Sequence, residues 1–186
     1  MTAAPWIIRP IRAADDAAVA AIVRDVMTEH GCCGQGFAIH DAEVAAMSAA
    51  YRAADARYFV VERGGNVLGG AGFARLAGTG RAEATCELRK MYFRPTARGH
   101  GLGRAMLELL LDEMRAAGYL RCYLETTSWM QQAQRLYRAA GFTELPRAEG
   151  ATGHHGCDTY FARPLQDGDP MPPATRGGVG NRVSGD

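Results

Sequence analysis

A glycine-rich turn with an arginine at each end is the segment of this sequence best suited to hold a ligand. It runs from Arg98 to Arg104, with glycine at every second position between them. It follows a strand-like apolar run and leads at once into an amphipathic helical pattern. Glycines allow successive backbone N–H groups to point the same way, and a helix N-terminus adds about half a positive charge. The turn is therefore typical of a site for phosphate or pyrophosphate.

Two common nucleotide motifs match this turn incompletely. A nucleoside-triphosphate loop needs a lysine after its second glycine, and that lysine is absent. A dinucleotide-binding turn needs Gly-x-Gly-x-x-Gly, but alignment on Gly99 and Gly101 puts Arg104 at the last position. Glu125 does stand where such a site has its ribose-binding acid. A dinucleotide-binding oxidoreductase therefore stays open as one hypothesis.

A second set of reactive side chains lies near the end of the predicted domain. His154, His155, Cys157 and Asp158 are of the types used in Cys-His-Asp acyl relays and in zinc sites. They are too close in sequence for a relay assembled across a fold, and a closed zinc site needs further ligands. The pattern favours a polar loop that borders a substrate pocket, and no metal ion is predicted.

Hydrophobic periodicity predicts the elements that position these residues. A single domain is expected over residues 6–165, and a loosely held Gly- and Pro-rich tail over 166–186. Strands are predicted at 6–12, 58–62, 67–73, 85–93, 119–125, 142–145 and 159–163, and helices at 15–29, 41–54, 102–117 and 130–140. This order is a mixed α+β pattern.

Composition excludes several classes of protein. The 186 residues include 21 Lys+Arg and 20 Asp+Glu, and a formal net charge of +1 argues against a nucleic-acid partner. No apolar run approaches the roughly 20 residues that cross a bilayer. The first residues lack the basic-then-apolar order of a secretory signal, which predicts a cytoplasmic protein without a membrane partner. The five cysteines form no paired framework, so no disulfide is expected.

Two motifs taken together resemble those of the GNAT superfamily of acetyl-CoA-dependent N-acetyltransferases. The first is Arg-x-x-Gly-x-Gly at Arg98, Gly101 and Gly103, and the second is Ala-x-x-Leu-Tyr-x-x-x-Gly-Phe at 133–142. The stretches CELxKMYF, YLETT and GxTGHxxC, which begin at 86, 123 and 150, are similar to a bacterial branch of small-molecule acetyltransferases. The resemblance implies a mixed, mostly antiparallel sheet of about six or seven strands with about four helices. Its fourth and fifth strands would splay apart.

The resemblance also implies which residues bind the co-substrate, acetyl-CoA. Backbone groups of the fourth strand would hold the pantetheine arm and the acetyl oxygen, at Met91, Tyr92 and Phe93. The glycine turn would bind the diphosphate, through Arg98, Gly99, His100, Gly101, Leu102, Gly103 and Arg104. Met130 stands where many members have an asparagine, so one family contact with the cofactor is altered here.

Three side chains take catalytic roles under the same resemblance. Tyr137 occupies the position of the usual general acid, whose phenol, with a pKa near 10, can protonate a departing thiolate. Glu87 and Glu125 compete for the role of general base, directly or through water. Glu87 matches histone-type members and is slightly preferred, whereas Glu125 matches members that acetylate protein N-termini. The alternatives are a core aromatic for Tyr137, a pair with Arg89 for Glu87, and a helix cap for Glu125.

The function implied by the resemblance is direct transfer of an acetyl group to a primary amine of a small molecule, without an acetyl-enzyme. Residues 30–40 would form part of the wall of the acceptor site. Homodimers are common in this superfamily, so a homodimer is one candidate assembly. An N-terminal protein acetyltransferase and a non-catalytic acyl-CoA-binding module are the other functional hypotheses.

Overall fold

A sheet with helices on both faces organises residues 4–165, the part of the chain described by the computed structural model. The strands are β1 (Trp6–Pro10), β2 (Arg57–Arg63), β3 (Asn66–Arg75), β4 (Thr85–Phe93), β5 (Arg121–Thr126), β6 (Thr143–Leu145) and β7 (Thr159–Pro164). The helices are α1 (Asp16–Glu29), α2 (Met47–Ala50), α3 (Leu102–Ala116) and α4 (Gln131–Ala139). The tail predicted at 166–186 lies outside the described residues.

The strands lie in the order β1-β2-β3-β4-β5-β7-β6 in one seven-stranded sheet. Neighbours are antiparallel except for β4 and β5, which run parallel. These two pair only over Thr85–Glu87 and Arg121–Tyr123, after which they separate. The predicted mixed, mostly antiparallel sheet with splayed fourth and fifth strands is confirmed. The separation matters because it leaves backbone groups of β4 without strand partners in the middle of the sheet.

Helix α3 anchors the larger of two apolar cores. Its buried side chains recur every three or four residues, at Met106, Leu107, Leu110, Leu111 and Met114. Each such side chain contributes about 1.5–3 kcal/mol when it is withdrawn from water. With 15 residues, α3 is the longest helix in the described chain, and no helix there is long and apolar enough to cross a membrane. Burial of this stripe fixes the start of α3, and with it the glycine turn, against β4.

A bulge in β4 determines which side chains face each side of the sheet. Lys90 has a φ of +51°, and the register with β3 shifts at this point. The bulge puts Arg89 and Lys90 on the same face, with α1 and α2, and Tyr92 follows them. Met91 and Phe93 pack instead into the core beside α3 and α4. The hydroxyl of Tyr58 donates to the Lys90 carbonyl at 3.1 Å and so holds the bulge.

The long helix predicted over residues 41–54 is wrong. The segment contains a 3-10 turn at Ala42–Ala45 and only one turn of α-helix, α2. Ala46, with φ −149° and ψ 58°, interrupts the helix, and the Asp16 carboxylate caps the second piece by accepting from the Ser48 N–H at 2.7 Å. The apolar positions used for the prediction are nevertheless buried, at Val44, Met47 and Tyr51.

Candidate active site

A groove of about 560 Å³ lies beside the end of β4, between the glycine turn and α4. A cavity of this size suits a small-molecule ligand or a cofactor. The structure brings together there all the residues predicted to bind acetyl-CoA except His100: Met91, Tyr92, Phe93, Arg98, Gly99, Gly101, Leu102, Gly103 and Arg104. Met130 and Tyr137 also line it.

The glycine turn offers backbone N–H groups at one end of this groove. The N–H groups from Gly99 to Gly103 form no hydrogen bond with the described residues, and the first turn of α3 begins when the Ala105 N–H donates to the Gly101 carbonyl at 3.0 Å. Gly99 and Gly101 have φ of +79° and +76°, in the left-handed region that favours glycine. Unpaired donors beside a helix N-terminus form an anion-binding concavity.

The charged side chains of the turn form hydrogen bonds and ion pairs that stabilise it. Arg98 donates from Nε to the Phe93 carbonyl at 2.9 Å and from both Nη atoms to the Glu29 carboxylate at 2.6 and 2.7 Å. Arg104 donates to Glu108 at 2.9 Å. Surface pairs of this kind contribute at most about 1 kcal/mol, so an incoming anion can replace them. The main-chain amides are therefore the principal donors, and the arginines are supplementary ones.

His100 lies apart from the groove lining. Its ring stacks against Trp6 with the ring centroids 5.3 Å apart. The sequence predicted it as a binding residue from its position in the turn, but its side chain contacts Trp6 and the residue does not line the groove.

Tyr137 lies at the boundary between the apolar core and the groove. Its ring packs in the core, with centroids 5.9 Å from Phe142 and 6.1 Å from Phe161. The residue also lines the groove, and its hydroxyl forms no hydrogen bond with the described residues. Burial raises the pKa of this phenol, so it is a neutral hydroxyl that can donate to a ligand.

Glu87 and Glu125 lie where β4 and β5 separate. Glu87 faces Tyr123 in the last paired position, and Glu125 follows two residues later on the same side of β5. Both carboxylate side chains are about 3% exposed. The structure thus brings the two candidate bases together at the centre of the sheet, but neither of them lines the groove, whose nearest β4 residue is Met91.

The two carboxylates differ in their partners. Oε2 of Glu87 accepts from Arg89 Nε at 2.6 Å, which is the pairing that the sequence offered as its alternative role. Oε1 of Glu125 accepts from the hydroxyls of Tyr123 at 2.8 Å and Thr152 at 2.9 Å, and not from a helix. Burial, opposed by these two hydrogen bonds, raises the pKa of Glu125 above its usual range. A buried carboxyl with a raised pKa and one oxygen not hydrogen-bonded is a stronger base than an exposed carboxylate and is suited to accept a proton.

His154 lies close to both carboxylates, a contact that the sequence did not predict. Its Nδ1 lies 3.7 Å from Glu87 Oε1 and 3.9 Å from Glu125 Oε2, and its Nε2 lies 3.1 Å from Asp41 Oδ2. The sequence did single out the segment, but spacing along the chain could not show that its loop folds over β4 and β5. Its side chain is 13% exposed.

The lone lysine of the chain completes this polar cluster. Lys90 Nζ donates to Asp41 Oδ2 at 2.7 Å and contacts the Glu43 carboxylate, and its side chain is 1% exposed. Burial opposes ionisation of Asp41, but the hydrogen bonds from His154 and Lys90 outweigh it and lower the pKa of Asp41 to about 2. A buried ammonium needs such partners, since an unpaired one would be very costly.

Two loops meet over this cluster. The Gly156 N–H donates to the Gly36 carbonyl at 3.0 Å, and the ring of Phe37 lies so close to Gly156 that a side chain there would overlap it. The contact between His154 and Asp41 joins the same two loops. Residues 31–41 and 150–158 thus form a roof over the ends of β4 and β5. The predicted loop at 30–40 includes a 3-10 turn at Ala38–His40.

Within residues 4–165, no group of three or more His, Cys, Asp and Glu side chains is arranged to hold a metal ion. All five cysteines are free thiols. Asp158, one of the candidate ligands in the sequence, instead accepts hydrogen bonds from the Ser128 N–H at 2.6 Å and the Ser128 hydroxyl at 2.7 Å. These bonds tie the second roof loop to the end of β5.

Comparison with known proteins identifies the family to which this sequence is similar. The family model described as "Acetyltransferase (GNAT) family" matches residues 23–142. The "Uncharacterized N-acetyltransferase YjgM" of Escherichia coli is 36% identical over 160 residues, which cover 86% of this chain and 95% of that protein. The "IAA acetyltransferase" of Azospirillum brasilense is 36% identical over 114 residues, covering 60% of this chain and 69% of its own.

Solved structures agree in fold. The structure of yncA from Salmonella typhimurium with its cofactor acetyl-CoA has a TM-score of 0.70 and 25% identity, covering 91% of this chain and 99% of that one. A GNAT acetyltransferase from Staphylococcus aureus has a TM-score of 0.76 at 15% identity, covering 87% of this chain and 100% of that one. The second likeness bears on the fold alone.

Proposed function

The chain belongs to the GNAT acetyltransferase family, and we propose that it transfers the acetyl group of acetyl-CoA to a primary amine of a small molecule. Acetyl-CoA is the co-substrate of this family, and the chain is an acyltransferase of GNAT type. What we propose is the class of acceptor and the role of each individual residue in the transfer.

The observation that carries the proposal is the pair of buried carboxylates where β4 and β5 separate, one of them with a raised pKa. An amine is protonated in water and must lose a proton before it can attack a thioester. Glu125 accepts that proton as the amine nitrogen bonds to the carbonyl carbon and the C–S bond breaks. Tyr137 supplies a proton to the departing sulfur, and a backbone N–H at the free edge of β4 binds the carbonyl oxygen.

The glycine turn supports the cofactor half of the proposal. Its N–H groups form no hydrogen bond with the described residues, and a diphosphate is the anion that a turn of this length and a helix N-terminus bind well. The adjoining groove of about 560 Å³ leads from the turn to Met91 and Tyr137. The pantetheine arm then lies along the end of β4, where the strand has no partner on its β5 side.

The roof over the carboxylates favours a small acceptor. A protein N-terminus needs an open channel for several residues, whereas the loops at 31–41 and 150–158 are joined directly above Glu87 and Glu125. The carboxylates beneath the roof outnumber the cations there, and this excess of negative charge favours binding of a cationic amine.

The test is release of free CoA from acetyl-CoA in the presence of single amines. The panel contains amino acids, polyamines, aminoglycosides, arylalkylamines and peptides with free N-termini, and a reaction without amine measures hydrolysis. We expect amine-dependent release with at least one small amine and an N-acetyl product of the corresponding mass. Release with peptides alone would assign an N-terminal protein acetyltransferase. Binding of acetyl-CoA without release across the panel would favour a non-catalytic module.

Gly103 provides a specific test of the cofactor site. A Cβ on Gly103 would lie 3.5 Å from Leu136 Cδ2 and 3.7 Å from Met91 Cε, which are ordinary contacts, and its φ is not positive. We therefore expect Gly103→Ala to leave the free energy of unfolding unchanged or to raise it by up to about 1 kcal/mol. The methyl group faces the groove, so we expect the KM for acetyl-CoA to rise about tenfold, equivalent to about 1.4 kcal/mol.

The measurements are urea unfolding and steady-state kinetics with acetyl-CoA varied. Gly118→Ala is the matched control, because Gly118 follows the other end of α3 and has a φ of +84°. We expect that control to lose stability and to retain its KM. An unchanged KM in Gly103→Ala would show that the cofactor does not approach the turn closely.

A further inference from the structure

His154 lies between several charged side chains and has no role in the mechanism proposed above. Its Nε2 faces Asp41 Oδ2 at 3.1 Å, and its Nδ1 faces Glu87 Oε1 at 3.7 Å and Glu125 Oε2 at 3.9 Å. The imidazole therefore spans from the roof loop at 31–41 to the point where the two strands separate. Its own backbone is held in place, since the His154 N–H donates to the Thr152 hydroxyl at 3.3 Å.

Thr152 links His154 to Glu125 a second time. The Thr152 hydroxyl donates to Glu125 Oε1 at 2.9 Å, and the Tyr123 hydroxyl donates to the same oxygen at 2.8 Å. Oε1 is thus fully engaged, and Oε2 is the oxygen that faces the imidazole. This geometry leaves Oε2 as the oxygen that can take a proton, with His154 Nδ1 3.9 Å away from it.

Charged and titratable groups face His154 and Glu125 from every packed element. They are Glu87, Arg89 and Lys90 on β4, Tyr123 on β5, Tyr160 on β7, Asp41 and Glu43 on the first roof loop, and Cys157 on the second. The carboxylates of Asp41, Glu43, Glu87 and Glu125 outnumber the permanent cations of Arg89 and Lys90. A protonated His154 reduces that excess, and its position between three of the carboxylates makes the cation favourable there.

We propose, on the basis of the proposed function, that His154 is a positioning residue for proton transfer, whose imidazolium keeps Glu125 ionised and aims its Oε2 toward the acceptor amine. Asp41 holds the imidazole through Nε2, so that the Nδ1–H points toward the two glutamates. His154 itself exchanges no proton in this proposal. No bond beyond those of the acetyl transfer forms or breaks.

The charges around Glu125 determine the direction in which His154 changes its pKa. The hydrogen bond that His154 donates to Asp41, opposed by burial, raises the pKa of His154, so the imidazole stays protonated to a higher pH than a free one. Burial raises the pKa of Glu125, and the His154 charge opposes that rise. Without the imidazolium, Glu125 would take up a proton at higher pH, and the activity would be lost earlier as the pH falls.

His154→Gln is the variant that tests this role. A glutamine amide nitrogen can reproduce the hydrogen bond from Nε2 to Asp41, so the roof contact is preserved and the positive charge is removed. His155→Gln is the matched control, since His155 is the neighbouring residue, is exposed and forms no side-chain hydrogen bond with the described residues. The readout is the pH profile of kcat/KM for the best amine of the panel.

We expect the acidic limb of His154→Gln to move upward by about one pH unit, because an opposite charge at this distance changes a carboxyl pKa by about one to three units. The control keeps the wild-type profile. In a Glu125→Gln background, adding His154→Gln produces no further shift. An unchanged acidic limb in His154→Gln, or an equal shift in both backgrounds, would overturn the proposal.

Two further measurements separate the possible failures. Urea unfolding identifies a variant that has lost activity by losing its fold, and in that case His154→Asn replaces it in the pH experiment. NMR titration of the imidazole signals, independent of activity, should show a lower His154 pKa in Asp41→Asn than in wild type; an unchanged pKa contradicts the contact on which the proposal stands. If the wild type itself releases no CoA with any amine, the proposed function fails, whereas an active wild type with an unshifted variant rejects only the role of His154.

Discussion

Replacing Glu125 by glutamine is expected to lower kcat/KM for the amine by about 10²–10⁴-fold at pH 7, the range typical of a lost general base. Glutamine has nearly the same shape and can still accept hydrogen bonds from Tyr123 and Thr152, which hold this side chain at 2.8 and 2.9 Å. The variant therefore removes the proton acceptor and keeps the site assembled. Measurement of kcat/KM from pH 5 to pH 10 is the test.

The pH profile distinguishes a lost base from a distorted site. In the wild type, kcat/KM falls as the pH falls through the pKa of Glu125, which burial raises. In the variant, only acceptor that has already lost its proton in solution reacts. We therefore expect the rate to rise about tenfold per pH unit up to the pKa of the amine, so that the deficit shrinks at high pH. A deficit that is constant over the whole range would contradict the role of base.

Stability provides a second test of Glu125→Gln, because the variant is expected to lose activity without losing stability. The folded-state pKa of Glu125 is above its unfolded value, so folding favours the protonated form. Such a group contributes stability below its unfolded pKa, and this contribution is lost as the pH rises through its folded pKa. At pH 7 the buried charge therefore costs stability, and we expect Glu125→Gln to unfold at no lower urea concentration than wild type.

Two other glutamates serve as comparisons. Glu87→Gln breaks the pair with Arg89 Nε at 2.6 Å, so we expect a loss of stability together with any loss of activity. Glu113, which is partly exposed on α3 and 3.9 Å from Arg57, should be neutral in both assays when changed to glutamine. Full activity in Glu125→Gln, with a loss confined to Glu87→Gln, would assign the base to Glu87, the residue slightly preferred from sequence.

The residues that line the groove beside the glycine turn could be predicted from sequence because most of them are contiguous. A turn from Arg98 to Arg104 followed by the start of α3 is a local structure, determined by glycine conformations and by one amphipathic stripe. Strand β4 also has the predicted bounds, Thr85–Phe93. The bulge at Lys90 was not predicted, since nothing in a run of nine strand residues marks one of them as left-handed.

The contacts among Asp41, Lys90 and His154 could not be predicted because these residues meet only through the tertiary fold. Asp41 and His154 are 113 positions apart in the chain, and their contact depends on how two irregular loops cross. The same contacts explain the wrong helix at 41–54. Asp41 and Glu43 form ion pairs with the buried Lys90. These ion pairs compete with the continuous helix that an alanine-rich segment would otherwise form. Local propensity there is weaker than a buried charge cluster.

Tyr137→Phe is expected to lower kcat by about 10²–10⁴-fold while leaving the KM for acetyl-CoA within about threefold of wild type, as is typical of a lost general acid. The hydroxyl makes no hydrogen bond with the described residues, so its only expected partner is a ligand in the groove. Its pKa, raised by burial, keeps it protonated throughout the working range. It can therefore donate to the sulfur as the C–S bond breaks.

The ring of Tyr137 should be unaffected by this change. Its contacts with Phe142 and Phe161, at centroid distances of 5.9 and 6.1 Å, are the same for phenylalanine. We therefore expect the free energy of unfolding to remain within about 0.5 kcal/mol of wild type. Urea unfolding and calorimetric binding of CoA then separate a chemical defect from a packing defect.

Tyr119 supplies the matched control. Its hydroxyl donates to the Asp55 carbonyl at 2.8 Å, at the opposite end of α3 from the glycine turn. Tyr119→Phe should lose about 1 kcal/mol of stability with the hydrogen bond and keep its kcat, the reverse of the pattern for Tyr137→Phe. Full turnover by a stably folded Tyr137→Phe would leave the departing sulfur to be protonated by water, and Tyr137 would then be a core aromatic that only shapes the groove.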